Sequence, residues 1–432
     1  MKEYTLNGIN ILYTTQRIFK ENEIRLLAFI SQTYNLRPAG SAHQAISMTK
    51  TADDLFPNHD GLEIRRGPGQ LHATGILPAH GIQTLIREQE IWATREIEPS
   101  QIQPASLDLR LGAHAYRLRA SFLPGPERGV MECVEELTLH KIDLAAGAVL
   151  ETGCVYLVPL VEALALSERT SAAANPKSST GRLDVFTRVI TDFGTEFDQV
   201  VAGYKGHLYL EIAPRTFPIL VRTGSRLAQM RFRRGSHTSS DAEMKRLHDE
   251  IKLVDGDADI DGGIALTVNL TPDKDHEIVG YRAKRHSGLI DVDRIAAYDV
   301  LDFWDPVHVR PGKGLILDPD EFYILASCEA LHIPATHAAE MVAYNPLVGE
   351  FRVHYAGFFD PGFGAREAGG AGSRIVLEVR SHDVPFILEH GQIVGRFILE
   401  RLTDKPTVLY GAGLGSNYQR QGLKLSKHFK PL

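Results

Sequence analysis

The chain has 432 residues, a formal net charge of −7, a sequence pI near 6.2 and 43% apolar residues. That length suggests two to three domains with ordinary cores. The acidic balance excludes nucleic-acid binding by broad phosphate neutralisation but leaves room for a local basic pocket. Cys133, Cys154 and Cys328 are scattered without metal-ligand spacing, the usage of a reducing compartment, so a cytoplasmic location is expected. No apolar run approaches membrane-spanning length, and the N-terminus lacks the pattern of a signal peptide.

Residues 1–80 read as an N-terminal extension, disordered or an over-long start, with Leu26, Leu27, Phe29 and Ile30 spaced for a short helix. From Gly81, Ile82, Leu85 and Ile86 have helical spacing and open a first domain, 81–235. Leu107, Leu109 and Leu111 alternate with Asp108 and Arg110 as in a half-buried strand. Short runs at Val155–Leu160, Leu208–Ile212 and Ile219–Val221, punctuated by Gly and Pro, predict many short strands and a sandwich or barrel. Met244, Leu247 and Ile251 predict a helix over Asp241–Lys252 in a linker, 236–262, that ends in the acidic, Gly-rich stretch Asp255–Gly263. A second domain, 263–432, opens on Leu266, Val268 and Leu270 and contains a predicted helical segment at Ile295–Trp304. Its tail, from Leu409, reads as a mobile arm.

The two domains are one element written twice. Tyr156/Tyr323, Glu162/Glu329, Glu211/Glu378, Pro218/Pro385 and Gly224/Gly391 all stand 167 positions apart. A constant offset over that span means a duplicated fold, and the unequal decay of two copies shows what each still needs.

Four stretches carry chemistry. Lys177-Ser178-Ser179-Thr180-Gly181-Arg182 gathers hydroxyls, backbone N–H groups and cations on a turn, which suits a polyphosphate; alone, a solvated turn with a surface Arg is the commoner case. His354 to Phe363, with Tyr355, Ala356, Phe358 and Asp360, mixes aromatics with Asp-Pro-Gly, as in a β-hairpin that offers backbone groups to a base and a ring to a sugar; core-covering aromatics would look the same. Glu378 stands in the apolar strand Ile375–Val379, with Glu211 at the matching place in the first copy. Burial would raise the pKa of such a carboxylate toward neutrality, as a general base needs, whereas an outward-facing position is the common alternative. Tyr418, Gln421 and Lys424 lie on the Gly-rich tail and suit closure over a ligand, or belong to a frayed terminus.

In chain order these stretches, with the strand Gln103–Gly112, resemble the dCTP deaminases of the homotrimeric dUTPase superfamily over residues 81–432. The resemblance implies two tandem jelly-roll-type β-barrels with few helices, and hydrolysis of the 4-amino group of dCTP to dUTP and ammonia without zinc. It implies Mg2+ carried on the triphosphate and no metal ligands from protein side chains. Partners would be the nucleotide and further copies of the chain in a homo-oligomer, with no nucleic acid or membrane. Glu378 would take a proton from the attacking water and pass protons to the ring nitrogen and the leaving amine. Ser178 would help hold that water, and Arg182 would position the nucleotide and its phosphates. Lys177, Ser179, His354, Tyr355, Ala356, Phe358, Asp360, Tyr418, Gln421 and Lys424 would bind substrate. Sites of the family form between neighbouring barrels, one giving the phosphate loop and the other the base hairpin and the acid. The first copy keeps the loop but has Thr187–Val200 in place of the hairpin; the second keeps hairpin and acid but has Asn345–Glu350, without Ser or Arg, in place of the loop. One composite site is therefore expected, with Glu211 vestigial or structural.

Three readings compete. A dUTP pyrophosphatase, or an enzyme of both activities, would use Asp360 to activate water against the α-phosphate. A nucleotide sensor would bind and not turn over. A zinc cytidine deaminase needs Cys-x-x-Cys, which the chain lacks, although His248-Asp249-Glu250 matches the other half of that signature.

Overall fold

The computed structural model describes residues 2–6, 9–13, 74–272, 277–310, 312–342, 351–354, 357–381, 384–411 and 421–431. Met1–Arg65 forms one unit, in which strands Lys2–Leu6 and Ile9–Tyr13 pair antiparallel. The expected helix near Leu26 lies outside the described residues. Arg66–Leu432 forms the other unit, and everything below concerns it.

That unit is mainly β and contains two tandem barrels. In the first, one sheet combines Gln199–Val200, Thr170–Pro176, Ala228–Arg234, Gly75–Ile76 and Leu107–Leu109. A second combines Val185–Thr191, Lys205–Pro214, Val155–Ala165, His114–Leu118, Thr138–Asp143 and Ile91–Ala93. The barrel thus begins at Gly75, ahead of the boundary at 81 set by the helical pattern, because a two-residue strand carries no periodicity. The helix itself runs Ala79–Arg87 and buries Ala79, Ile82 and Leu85 on one face. Nine strands of the second half form one sheet that wraps from Trp304–Val307 to Phe358–Phe359.

The duplication is visible in hydrogen bonds. Ile212 pairs with Tyr156, and Val379 with Tyr323. The Tyr156 hydroxyl accepts from the Glu151 N–H at 3.0 Å, and the Tyr323 hydroxyl from the Asp318 N–H at 3.1 Å. Ala172 pairs with Phe232 and Ala339 with Leu399. Every pair keeps the 167-residue offset.

The halves are joined by a continuous apolar core. Trp304 is fully buried between the barrels, edge-on to Phe217 at 5.3 Å and to Phe429 at 5.9 Å. Rings of this size dominate the burial energy of such a seam. Strand Ile219–Val221 of the first barrel also pairs, parallel, with Ile290–Asp291 of the second. Ion pairs cross the seam: Arg231 with Glu400 and Arg380 with Asp184, both buried, and Arg233 with Glu340, half-buried, at 2.6 Å.

The linker helix forms over Asp241–Ile251, capped by Ser240, whose Oγ accepts from the Glu243 N–H at 3.3 Å. The Asp241 carboxylate accepts from Gly262 and Gly263 at 2.8 and 3.2 Å, so the acidic linker is tied back onto the helix. Three expectations change. The segment at Ile295–Trp304 is helical only at Val300–Phe303; Ala296 is left-handed, with φ 49, and Trp304 already belongs to a strand. Strand Leu107–Leu109 is wholly buried, not half-buried, because both polar neighbours find partners, Asp108 with Lys177 and Arg110 with Glu162. The tail's end, 421–431, is docked, with Leu425, Ser426, His428 and Phe429 buried.

Candidate active site

The seam opens into a cavity of about 480 Å³. The first barrel contributes Lys177, Ser178, Ser179 and Arg182, and the second contributes Phe358, Asp360 and Glu378. Strand Thr170–Pro176 ends in a proline that cannot extend the ladder, and the chain turns into the short helix Ser178–Gly181. Ser179, Thr180 and Arg182 are buried, so the solvated-turn reading of this loop does not hold.

Arg182 is oriented by the tail. Its Nη1 donates to the Lys424 carbonyl at 2.8 Å and its Nη2 to Gln421 Oε1 at 3.0 Å. Gln421 is fixed in turn on both sides of the Arg374 backbone, at 3.0 Å each way. The tail residue Ser426 donates to the Ser179 carbonyl at 2.7 Å. Lys177 pairs with Asp108.

Glu378 rises from strand Ser373–Ser381 into the loop's inner face. A Cβ at Gly181 would collide with its carboxyl group, so glycine there is what lets the loop approach. Glu378 is 6% exposed, and burial raises its pKa well above the ordinary value; Arg182 opposes that shift and Asp184 adds to it. A buried carboxyl whose pKa is raised in this way, and which makes no ion pair among the described residues, is suited to accept and pass on protons. Asp360 is pushed to about 6, by burial first, with Arg231 opposing and Asp108 adding. Arg231 is fully buried. It lies 4.1 Å from the Phe358 ring centre, donates to the Phe359 carbonyl at 3.3 Å and stands 3.8 Å from Asp360. One arginine of the first barrel thereby holds the base-side segment of the second.

That segment is not a simple hairpin. Phe351–His354 pairs with Ser373–Ser381, whereas Phe358–Phe359 pairs with His337–Val342, so the chain crosses from one face of the barrel to the other. His354 stands opposite Glu378 in the ladder. Its side chain, with Tyr355, Ala356, Tyr418 and the loop Asn345–Glu350, lies outside the described residues.

Glu211 has a different environment. Its strand partner is Arg188, which donates to its Oε1 at 3.0 Å through Nε and 2.5 Å through Nη2. Arg188 thus holds the register place of His354. Asp198 holds that of Gly357, its carbonyl accepting from Ala174 as the Gly357 carbonyl accepts from Met341. Burial pushes Asp198 to about 7. A guanidinium therefore fills the space beside the first copy's acid.

Lys424 turns its carbonyl to Arg182 while its side chain is exposed outside the cavity lining, and Lys427 lines the cavity in its place. The run Ser426-Lys427-His428 gave no signal for that exchange; it follows from docking of His428, whose Nε2 lies 2.9 Å from the Val292 carbonyl. Asp108, Gln229, Ile295 and Tyr410 also line the cavity without having been expected there. Of these, Asp108 was legible as a carboxylate facing inward from an apolar strand. Among the described residues no group of three or more His, Cys, Asp or Glu is placed to hold a metal ion, and no helix is long and apolar enough to cross a membrane.

Fold and cavity together define a tandem dUTPase-like protein with one two-sided site. The model of the 2'-deoxycytidine 5'-triphosphate deaminase N-terminal domain matches residues 73–236, and that of the C-terminal domain matches 240–429. A solved 2'-deoxycytidine 5'-triphosphate deaminase from Agrobacterium tumefaciens is 58% identical, with a TM-score of 0.74, over 76% of this chain and 99% of its own. The dUMP-forming dCTP deaminase of Corynebacterium jeikeium is 32% identical over 32% of this chain and 74% of its own length. That of Corynebacterium glutamicum is 33% identical over 27% of this chain, which spans 59% of that relative's length. The chain belongs to the dCTP deaminase family.

Proposed function

We propose that this protein hydrolyses the 4-amino group of dCTP, releasing ammonia, in the cavity between its two barrels. The observation that carries this is the buried Glu378 of one half, without an ion pair among the described residues, set against the cationic loop of the other. Lys177, Arg182 and Lys427 surround the space for the triphosphate, and Phe358 and Asp360 lie on the base side. Ser178, half-buried at the cavity wall, orients the water. Glu378 takes a proton from that water as its oxygen attacks C4, protonates the ring nitrogen, and then carries the second proton to the departing amine. Each carboxyl proton accepted is given up again, so the group ends as it began. Magnesium enters as part of the nucleotide substrate, and the chemistry needs no zinc. The names of the corynebacterial relatives and the acid Asp360 at the same cavity support a second reading, in which dUTP goes on to dUMP and pyrophosphate.

Incubation with dCTP and Mg2+, with ammonia and nucleotides assayed together, separates the outcomes. Ammonia with dUTP supports deamination alone, and ammonia with dUMP supports both steps. Binding of dCTP without ammonia would establish a sensor and overturn the proposal. Glu378→Gln should lower kcat by about 10²–10⁴-fold, the usual worth of a general base, with dCTP binding retained. Glu211→Gln should leave turnover near wild type.

A further inference from the structure

Two charged residues beside the site have no part in the chemistry above: Asp184, two positions past Arg182, and Arg380, two positions past Glu378. They are 1% and 5% exposed. Arg380 Nη2 donates to Asp184 Oδ2 and, at 3.0 Å, to Thr216 Oγ1, which itself donates to the same Oδ2 at 2.6 Å. Arg380 Nη1 donates to the Asp320 carbonyl, so the guanidinium is fixed from the second barrel as well. Asp184 is held at φ 54 where the loop helix ends, its N–H bonded to the Gly181 carbonyl at 2.8 Å and its carbonyl to the Arg215 N–H at 2.9 Å. Strand period places Arg380 on the face of Glu378. The first copy has Ala213 at the place of Arg380, so the pair accompanies Glu378 and is absent beside Glu211. Adhesion alone would be served as well by apolar residues, since burying two charges is costly. Directional contacts of this kind instead fix a distance.

We propose that Asp184 and Arg380 are positioning residues, a clasp across the seam that sets the separation between the phosphate loop and Glu378. The inference rests on the reading of Glu378 as the proton carrier. Several charged groups lie near that carboxyl. Arg182 and Asp184 belong to the loop, Arg380 stands two positions along the same strand, and Lys427 lines the same cavity from the tail; the paired strand places the backbone of His354 opposite. Removing Asp184 leaves an uncompensated cation near Glu378 and favours the carboxylate; removing Arg380 leaves an anion and disfavours it.

The experiment compares kcat, KM and the acid limb of the pH–rate profile in the wild type, Asp184→Asn, Arg380→Gln and the double variant. The acid limb should move down by about one unit in Asp184→Asn and up by a similar amount in Arg380→Gln. In the double variant, which removes both charges and keeps the polar contact, kcat should fall about 10–10²-fold, as for small misplacements of a reacting group, with KM within about threefold. Limbs that stay in place or move together, or a double variant with wild-type kcat, would overturn the clasp. If the single variants do not fold, the double variant decides alone. A wild type without deamination would sink the functional reading and this inference with it, whereas an active wild type silenced by Glu378→Gln, with unmoved limbs, sinks the clasp alone.

Discussion

At the scale of the residue, Glu378 was legible because a lone acid in an apolar strand demands an explanation, and the second copy supplied a control in Glu211. What separates the two acids could not be read from either strand. It is the cross-strand neighbour, Arg188 for one and His354 for the other, and neighbours across a ladder are set by register. Lys424 and Lys427 show the same limit, since three residues along a tail decide which cation enters the cavity only once the tail is docked. Asp360 carries a testable consequence. Its folded pKa, raised from 3.8 to about 6, means that the folded state binds more protons than the unfolded one between those values. Stability therefore falls as pH rises through that window. Thermal unfolding of Asp360→Asn should show a shallower decline from pH 4 to pH 7 than the wild type, with a residual slope from the other carboxyls that burial raises, Asp198, Glu378, Asp184 and Glu340. An unchanged slope would remove Asp360 as its source.

The elements were legible where periodicity is strong. The helix at Ala79–Arg87, the linker helix at Asp241–Ile251 and the strand at Ile219–Val221 all form as their patterns predict. The tail was misread because its composition is that of a loose arm, while its anchorage comes from partners far away in sequence. Ala296 and Ala297 donate to the Lys427 and His428 carbonyls at 3.0 and 2.9 Å, and Phe429 enters the aromatic seam. His428 is its sensitive point. Burial, opposed by the Val292 carbonyl, lowers its pKa from 6.5 to about 4. The neutral ring donates from Nε2 to that carbonyl and leaves Nδ1 to accept from Ser426 Oγ at 2.8 Å. The single Ser426 hydrogen is then shared between this ring and the Ser179 carbonyl. Here the unfolded state takes up protons first as pH falls, so tail docking is complete above pH 6.5 and weakens progressively toward pH 4. Protection factors across 421–431, corrected for the slower intrinsic exchange at lower pH, should fall over that interval ahead of those of the barrel strands. An equal fall everywhere would show the ring to be incidental.

For the molecule as a whole, the repeat gave the architecture, because a constant offset survives even where individual residues do not. The site's location was also legible, from the complementary losses in the two copies. Whether loop and acid meet within one chain was not, since nothing in a sequence distinguishes an intramolecular seam from one between subunits. The structure joins them inside Arg66–Leu432. Mixing Arg182→Ala with Glu378→Gln protein, after unfolding and refolding together, should therefore restore no activity. Recovery of about a quarter of the wild-type rate, the statistical share of intact sites in random pairs, would place the working seam between chains.

The ion pair of Arg188 with Glu211 has a wider meaning. When identical single barrels assemble, one gene change alters every position around the ring at once, so no acid can be retired without retiring them all. Joining two copies end to end gives each its own text. A spare acid can then be tied up by a guanidinium while its twin stays open, and the barrel that carries it is left with the single duty of presenting the cationic turn.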